Sequence, residues 1–269
     1  MELDRTEATI SRGDTELRAY MVRPAMVASP VPAIIVIQEI WGVDDHIRDV
    51  CDRFATSGYV ALAPDLYYHG GTPAALSLER IEEVKRLMDE VGAALWDPAA
   101  REAKLAEKGP DVAKRVGETM GAILGPRDEG AMVDDIEAFA DLLARHPWTR
   151  GRPVASTGYC MGGALSFALA GRGREMACAF VYYGHGPTPE QAAQVTCPVY
   201  GFYGETDRRL TEDVPQVAEL MKSRGKTYEA IVYKGAGHAF FNDTRQSFHP
   251  ESARLAWART LELLARHTA

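Results

Sequence analysis

The sequence predicts an α/β fold, with a mostly parallel central sheet and helices on both of its faces. Three observations predict it. Short, continuous apolar runs recur along the chain, of the kind a strand buried on both faces requires. Segments with helical patterning separate them, as crossovers between parallel strands must. The first two central runs also have clear stops, Pro32 before and Gln38-Glu39 after one, Gly58 before and Pro64 after the other.

The elements follow in order. Ala8 to Met21 reads as a hairpin turning at Ser11-Arg12-Gly13-Asp14, with Leu17, Ala19 and Met21 alternating along its second arm. Ala33-Ile34-Ile35-Val36-Ile37 is the first buried strand. A helix from about Asp44 to Ser57 leads to the second, Tyr59-Val60-Ala61-Leu62-Ala63. Val154–Thr157, Ala177–Tyr182, Val199–Tyr203 and Tyr228–Tyr233 continue the strands. Met161–Ala170, Thr211–Lys222 and Glu251–Arg266 are the helices among them.

One stretch breaks this rhythm. From about Thr72 to Gly130 there is no strand signal, only helix formers punctuated by Pro73, Pro98, Pro110 and Pro126. Leu78, Ile81, Val84, Leu87, Met88 and Val91 fall at helical spacing. We read two or three helices over one edge of the sheet. They form an insertion, about 72–130, in a single domain of residues 1–269, since nothing linker-like flanks it.

Composition narrows the function. In 269 residues, 46% hydrophobic and 25% charged, there is ample material for a core, which excludes a mainly disordered chain. A net charge of −8 repels a phosphate backbone, so nucleic acid is not an expected partner. No apolar run approaches the roughly 18 residues of a membrane span. The start, Met1-Glu2-Leu3-Asp4-Arg5, lacks the basic end and apolar stretch of a signal peptide. Cys51, Cys160, Cys178 and Cys197 form no CxxC pair and have no metal-ligand spacing. The expectation is a cytoplasmic protein without metal or dissociable cofactor, and a homodimer is left open.

The strongest chemical signal is Gly158-Tyr159-Cys160-Met161-Gly162, placed between a strand and a helix. It is a nucleophile-elbow pattern with cysteine at its centre. So tight a turn strains the central residue, and glycines two places either side relieve the crowding. The turn would leave the Cys160 sulfur at a helix N-terminus, where a thiolate is favoured, with the Met161 N–H aimed at a developing oxyanion. Read alone, the pentapeptide also fits a glycine-rich loop with Cys160 as a small core residue.

A nucleophile of this kind needs a base, and the base an acid, in the chain order nucleophile, acid, histidine. Asp207 follows the strand Val199–Tyr203, and His238 follows the strand Tyr228–Tyr233 in the turn Gly235-Ala236-Gly237-His238. Both fall at carboxyl ends of strands, where open α/β sheets place their sites. Glu205 competes with Asp207, which alone would read as a cap or loop acid. His146 and His267 end helices, where a cation meets the dipole. At the end of the first central strand, Gln38-Glu39-Ile40-Trp41-Gly42 would supply a second oxyanion N–H from Ile40. Glu39 would stand near Cys160, accepting the thiol proton or holding the thiol neutral. Taken alone, Glu39 reads as a solvent-facing acid at a strand end.

These segments together resemble the dienelactone hydrolase family of α/β-hydrolases. The resemblance rests on Gln38-Glu39-Ile40-Trp41-Gly42-Val43, Ala63-Pro64-Asp65-Leu66-Tyr67, Gly158-Tyr159-Cys160-Met161-Gly162-Gly163, Tyr203-Gly204-Glu205-Thr206-Asp207 and Gly237-His238-Ala239-Phe240. It implies the α/β-hydrolase fold and a Cys160-His238-Asp207 triad, with Glu39 gating the thiol. It also implies a small lactone or carboxylic ester as substrate, cleaved through an acyl-enzyme. The chain departs from the family in two respects. Compact members that open dienelactones carry an arginine shortly after the catalytic histidine, whereas Asn242 stands four places after His238 here; Arg245 and Arg127 are the available alternatives. The helical stretch is also longer. Two other readings are a non-catalytic ligand-binding module on the same scaffold and a thiol peptidase.

Overall fold

Apolar strand segments in this chain assemble into one eight-stranded sheet among the described residues, 1–92 and 97–269 of a computed structural model. Residues 93–96, within the stretch read as helical, lie outside the described residues. The strands are β1 (Leu3–Arg12), β2 (Thr15–Pro24), β3 (Ala33–Ile37), β4 (Val60–Pro64), β5 (Val154–Tyr159), β6 (Ala179–Tyr182), β7 (Val199–Gly204) and β8 (Tyr228–Tyr233). The helices are α1 (Asp45–Thr56), α2 (Leu78–Val91), α3 (Pro98–Lys108), α4 (Pro110–Leu124), α5 (Glu129–Arg145), α6 (Met161–Ala170), α7 (Pro189–Gln194), α8 (Arg208–Thr211), α9 (Val214–Ser223) and α10 (Pro250–Thr268).

The strand order is β1-β2-β4-β3-β5-β6-β7-β8. The hairpin β1–β2 joins β4 antiparallel, and every pair from β4 through β3 to β8 is parallel. This is the mostly parallel α/β architecture that the apolar runs predict, with Gly13 at φ +61° in the hairpin turn. All five residues of β3 and of β4 are buried, as parallel strands covered on both faces must be.

The chain divides into two compact units, residues 1–66 with 129–269, and residues 67–128. In the first unit the sheet separates two apolar cores. On one face α1 and α10 pack Ile47, Val50, Phe54, Ala256, Leu263 and Leu264 against Val36, Tyr182 and Phe202. On the other face α5 and α6 pack Ile136, Phe139, Leu165 and Phe167 against Ile35, Ile37, Val181 and Val199. Buried on every side, α6 is apolar almost throughout, and it carries Met161 at its start.

The second unit is helical, with α2, α3 and α4 after a short 3₁₀ turn at Ala74–Leu76. Ser77 and Asp97 cap α2 and α3, and Pro98 and Pro110 occupy first turns, where a missing N–H costs nothing. Ile81, Val84, Leu105, Val116, Met120 and Ile123 are buried.

One helix differs from its expectation. The helix expected over Thr211–Lys222 begins later, as α9 at Val214 with Pro215 in its first turn, and Thr211 instead ends the short helix α8. A single helix through this point would need an N–H from Pro215 to the carbonyl of Thr211, which proline cannot give. Among the described residues no helix is long and apolar enough to cross a membrane.

Candidate active site

The carboxyl ends of β3, β5, β6, β7 and β8 deliver Glu39, Cys160, Tyr183, Asp207 and His238. Adjacent parallel strands with their ends in register bring distant residues to one edge of the sheet.

The elbow is built as its glycines require. Cys160 has φ +54° and ψ −113°, outside the regions comfortable for a side-chain-bearing residue, and its N–H donates to the Tyr182 carbonyl at 3.0 Å. A Cβ on Gly158 would run into the Gly162 carbonyl and lie 2.9 Å from the Gly163 nitrogen. A Cβ on Gly162 would lie 2.5 Å from the Gln38 carbonyl oxygen. The start of α6 is thereby pressed against the end of β3, which brings the Glu39-Ile40 loop to the elbow. Met161 opens α6, so its N–H belongs to the uncompensated first turn.

His238 and Asp207 meet directly, with Nδ1 and Oδ2 2.6 Å apart. Their loops are cross-linked. The Thr206 N–H and Oγ1 both donate to the Ala236 carbonyl, at 2.9 and 3.0 Å, and the Gly235 N–H donates to Glu205 Oε2 at 2.9 Å. Glu205, the competing acid, thus ties the loop while Asp207 faces the imidazole. Asp207 caps no helix with its side chain. The Cys160 sulfur is close enough to the imidazole to favour its charged form. Burial alone would lower the His238 pKa. The hydrogen bond to Asp207 and the nearby Cys160 sulfur outweigh it and raise the value to about 10.

Glu39 is buried rather than solvent-facing. Tyr183 Oη donates to its Oε1 at 3.2 Å, and Asn242 Nδ2 donates to its Oε2 at 2.7 Å. The Tyr183 ring packs edge-on against the His238 imidazole, with centroids 5.2 Å apart. Three non-glycine residues have positive φ among the described residues: Cys160, Tyr183 at +39° and Ala239 at +58°. All three border this constellation, so the strained backbone is confined to it.

The remaining candidates are placed as follows. Burial, and then the nearby Arg23 and Arg266 respectively, lower the His146 and His267 pKa values, which disfavours a charge on either ring. Trp41 is buried, with the Arg245 guanidinium 5.6 Å from its ring centroid. Tyr159 and Phe240 are core residues. Among the described residues no group of three His, Cys, Asp or Glu is arranged for a metal ion.

Known proteins resemble this chain in sequence and architecture. Residues 17–268 match the model of the dienelactone hydrolase family. The chain belongs to the dienelactone hydrolase family. A carboxymethylenebutenolidase-like protein of Saccharolobus solfataricus is 32% identical over 256 residues, 93% of this chain and 94% of the relative. One of Yersinia pestis is 30% identical over 272 residues, covering 97% and 88%. The crystal structure of a dienelactone hydrolase-like protein from Klebsiella pneumoniae superposes with a TM-score of 0.73 at 28% identity, covering 98% of this chain and 99% of that one.

As a dienelactone hydrolase family member, the chain is a hydrolase of carboxylic esters with the α/β-hydrolase fold. Sequence reasoning singled out Cys160, Asp207, His238 and Glu39 but not Tyr183, which bonds Glu39 and packs on His238. Its place immediately after β6, before Gly184, was the available signal. It noted Asn242 only as a departure from the family.

Proposed function

We propose that this protein hydrolyses a small lactone or ester through a cysteine nucleophile, with Cys160, His238 and Asp207 acting as a triad. The carrying observation is the short His238–Asp207 hydrogen bond, with the partly exposed Cys160 of the strained elbow close enough to act on the same imidazole. His238 takes the thiol proton and Cys160 Sγ attacks the carbonyl carbon. The tetrahedral oxyanion is met by the N–H groups of Met161 and Ile40. The carbon–oxygen bond then breaks, and the leaving alcohol or enol takes the proton from His238. Water, deprotonated by His238, attacks the thioester. The acid departs and the thiol re-forms. Glu39 gates the thiol beside this sequence of steps.

The test is hydrolysis of p-nitrophenyl acetate and a panel of lactones, with intact-protein mass spectrometry after rapid acid quench. The expected result is an acetyl adduct on the peptide containing Cys160, and loss of about 1,000-fold or more of kcat in Cys160→Ala. Hydrolysis at the wild-type rate by Cys160→Ala would overturn the proposal.

A further inference from the structure

Glu39 is held in an unusual way for a buried carboxylate. Among the described residues neither oxygen meets a cation; one accepts from a phenol and the other from an amide. The amide can point only one way. Asn242 Oδ1 accepts from both the Thr244 N–H at 3.1 Å and Thr244 Oγ1 at 2.7 Å, so Nδ2 must face Glu39. Asn242 is fully buried, and the loop around it is pinned by its own N–H to the Ala239 carbonyl at 3.0 Å. Tyr183 keeps its proton, because burial and then the Glu39 charge push its pKa well up. It therefore remains a donor.

Buried polar groups of this kind depend on their partners, and removing one leaves the other stranded. We propose that Asn242 and Tyr183 are positioning residues that clamp Glu39 beside the reacting thiol, using two uncharged donors. The proposal rests on the cysteine-hydrolase reading above. Released from the clamp, the Glu39 carboxylate is free to turn and compete with His238 for the thiol proton. The clamp therefore sets how readily the thiol reacts, with Asn242 and the Tyr183 hydroxyl acting through Glu39 while the Tyr183 ring packs on the imidazole.

The discriminating variant is Asn242→Asp. It is nearly isosteric and keeps an oxygen for Thr244, so the loop retains its hydrogen bonds. It places a second carboxylate against Glu39, and two carboxylates so close share a proton. In acid the shared proton restores a donor to Glu39. As pH rises it is lost, and the two charges repel. Ester kcat/KM of Asn242→Asp should match wild type within about threefold near pH 5 and fall about tenfold or more by about pH 8, a limb wild type lacks. That limb should vanish in the double variant Glu39→Gln/Asn242→Asp. Tyr183→Phe, which keeps the ring, should lower kcat about tenfold at every pH with little change in KM. The rate of Cys160 alkylation should follow the same profiles. A profile parallel to wild type for Asn242→Asp, or an unaltered kcat for Tyr183→Phe, would overturn the clamp. If either result came from a chain whose Cys160→Ala variant is inactive, the clamp alone would fail; a fully active Cys160→Ala would remove the underlying reading.

Discussion

Asp207 Oδ2 stands 2.6 Å from His238 Nδ1, although 31 residues separate the two in sequence. The neighbouring ends of β7 and β8 hold them together, and the Thr206–Ala236 hydrogen bonds fix the separation. The acid therefore sets the direction of the imidazole, which in the proposed triad leaves Nε2 for the thiol. Asp207→Asn preserves the shape but offers the ring an ambiguous partner. Steady-state kinetics on an aryl ester should show kcat lowered about 1,000-fold or more, with KM altered by much less.

The raised His238 pKa also makes a claim about stability. A histidine whose folded pKa lies near 10, against 6.5 for the free side chain, stabilises the fold in its charged form. That contribution is complete below about pH 6.5 and is lost as pH rises through about 10. Urea unfolding of wild type and His238→Gln across this range should show a wild-type advantage that is constant in mild acid and shrinks towards pH 10. An advantage that grew with pH would have the wrong sign.

The four cysteines should separate cleanly by reactivity. Cys51, Cys178 and Cys197 are buried, and burial pushes each thiol upward, Cys197 to about 11. Cys160 is partly exposed at the elbow. Iodoacetamide at neutral pH should label one thiol in the folded protein, with loss of ester hydrolysis in step, and all of them in denaturant.

Two glycine-to-alanine changes should act in opposite directions. Gly162→Ala forces a methyl group against the Gln38 and Ile37 carbonyls, which are backbone and cannot swing aside. It should cost about 3 kcal/mol or more and shift the melting midpoint accordingly. Gly121 lies within α4 with nothing near its missing Cβ, so Gly121→Ala should stabilise by about 0.5 to 1 kcal/mol.

Much of this architecture is legible in the sequence, for an identifiable reason. The strands of a covered parallel sheet must be apolar on both faces, so Ala33–Ile37 and Tyr59–Ala63 stand out from any amphipathic segment. The elbow is legible because its crowding leaves glycine as the residue that fits at 158 and 162. Tyr183 is not, since in the linear sequence it is one of two adjacent tyrosines. In the fold Tyr183 has a positive φ and its hydroxyl bonds Glu39, while Tyr182 stays in the sheet and pairs with Thr260 Oγ1. Asn242 is silent for a related reason. An asparagine in a loop reads as a turn former, and its burial against Glu39 depends on two segments 203 residues apart. The break between α8 and α9 was signalled by Pro215.

The left-handed backbone at Cys160, Tyr183 and Ala239 sets thermal endurance against turnover in this molecule. Glycine at 239 would relax one of these torsions and raise the melting temperature, and the same freedom would let the neighbouring imidazole wander. An engineer seeking a hardier catalyst should begin elsewhere, for example in the solvent-facing turns of the helical unit, and leave this rim of the sheet as it stands.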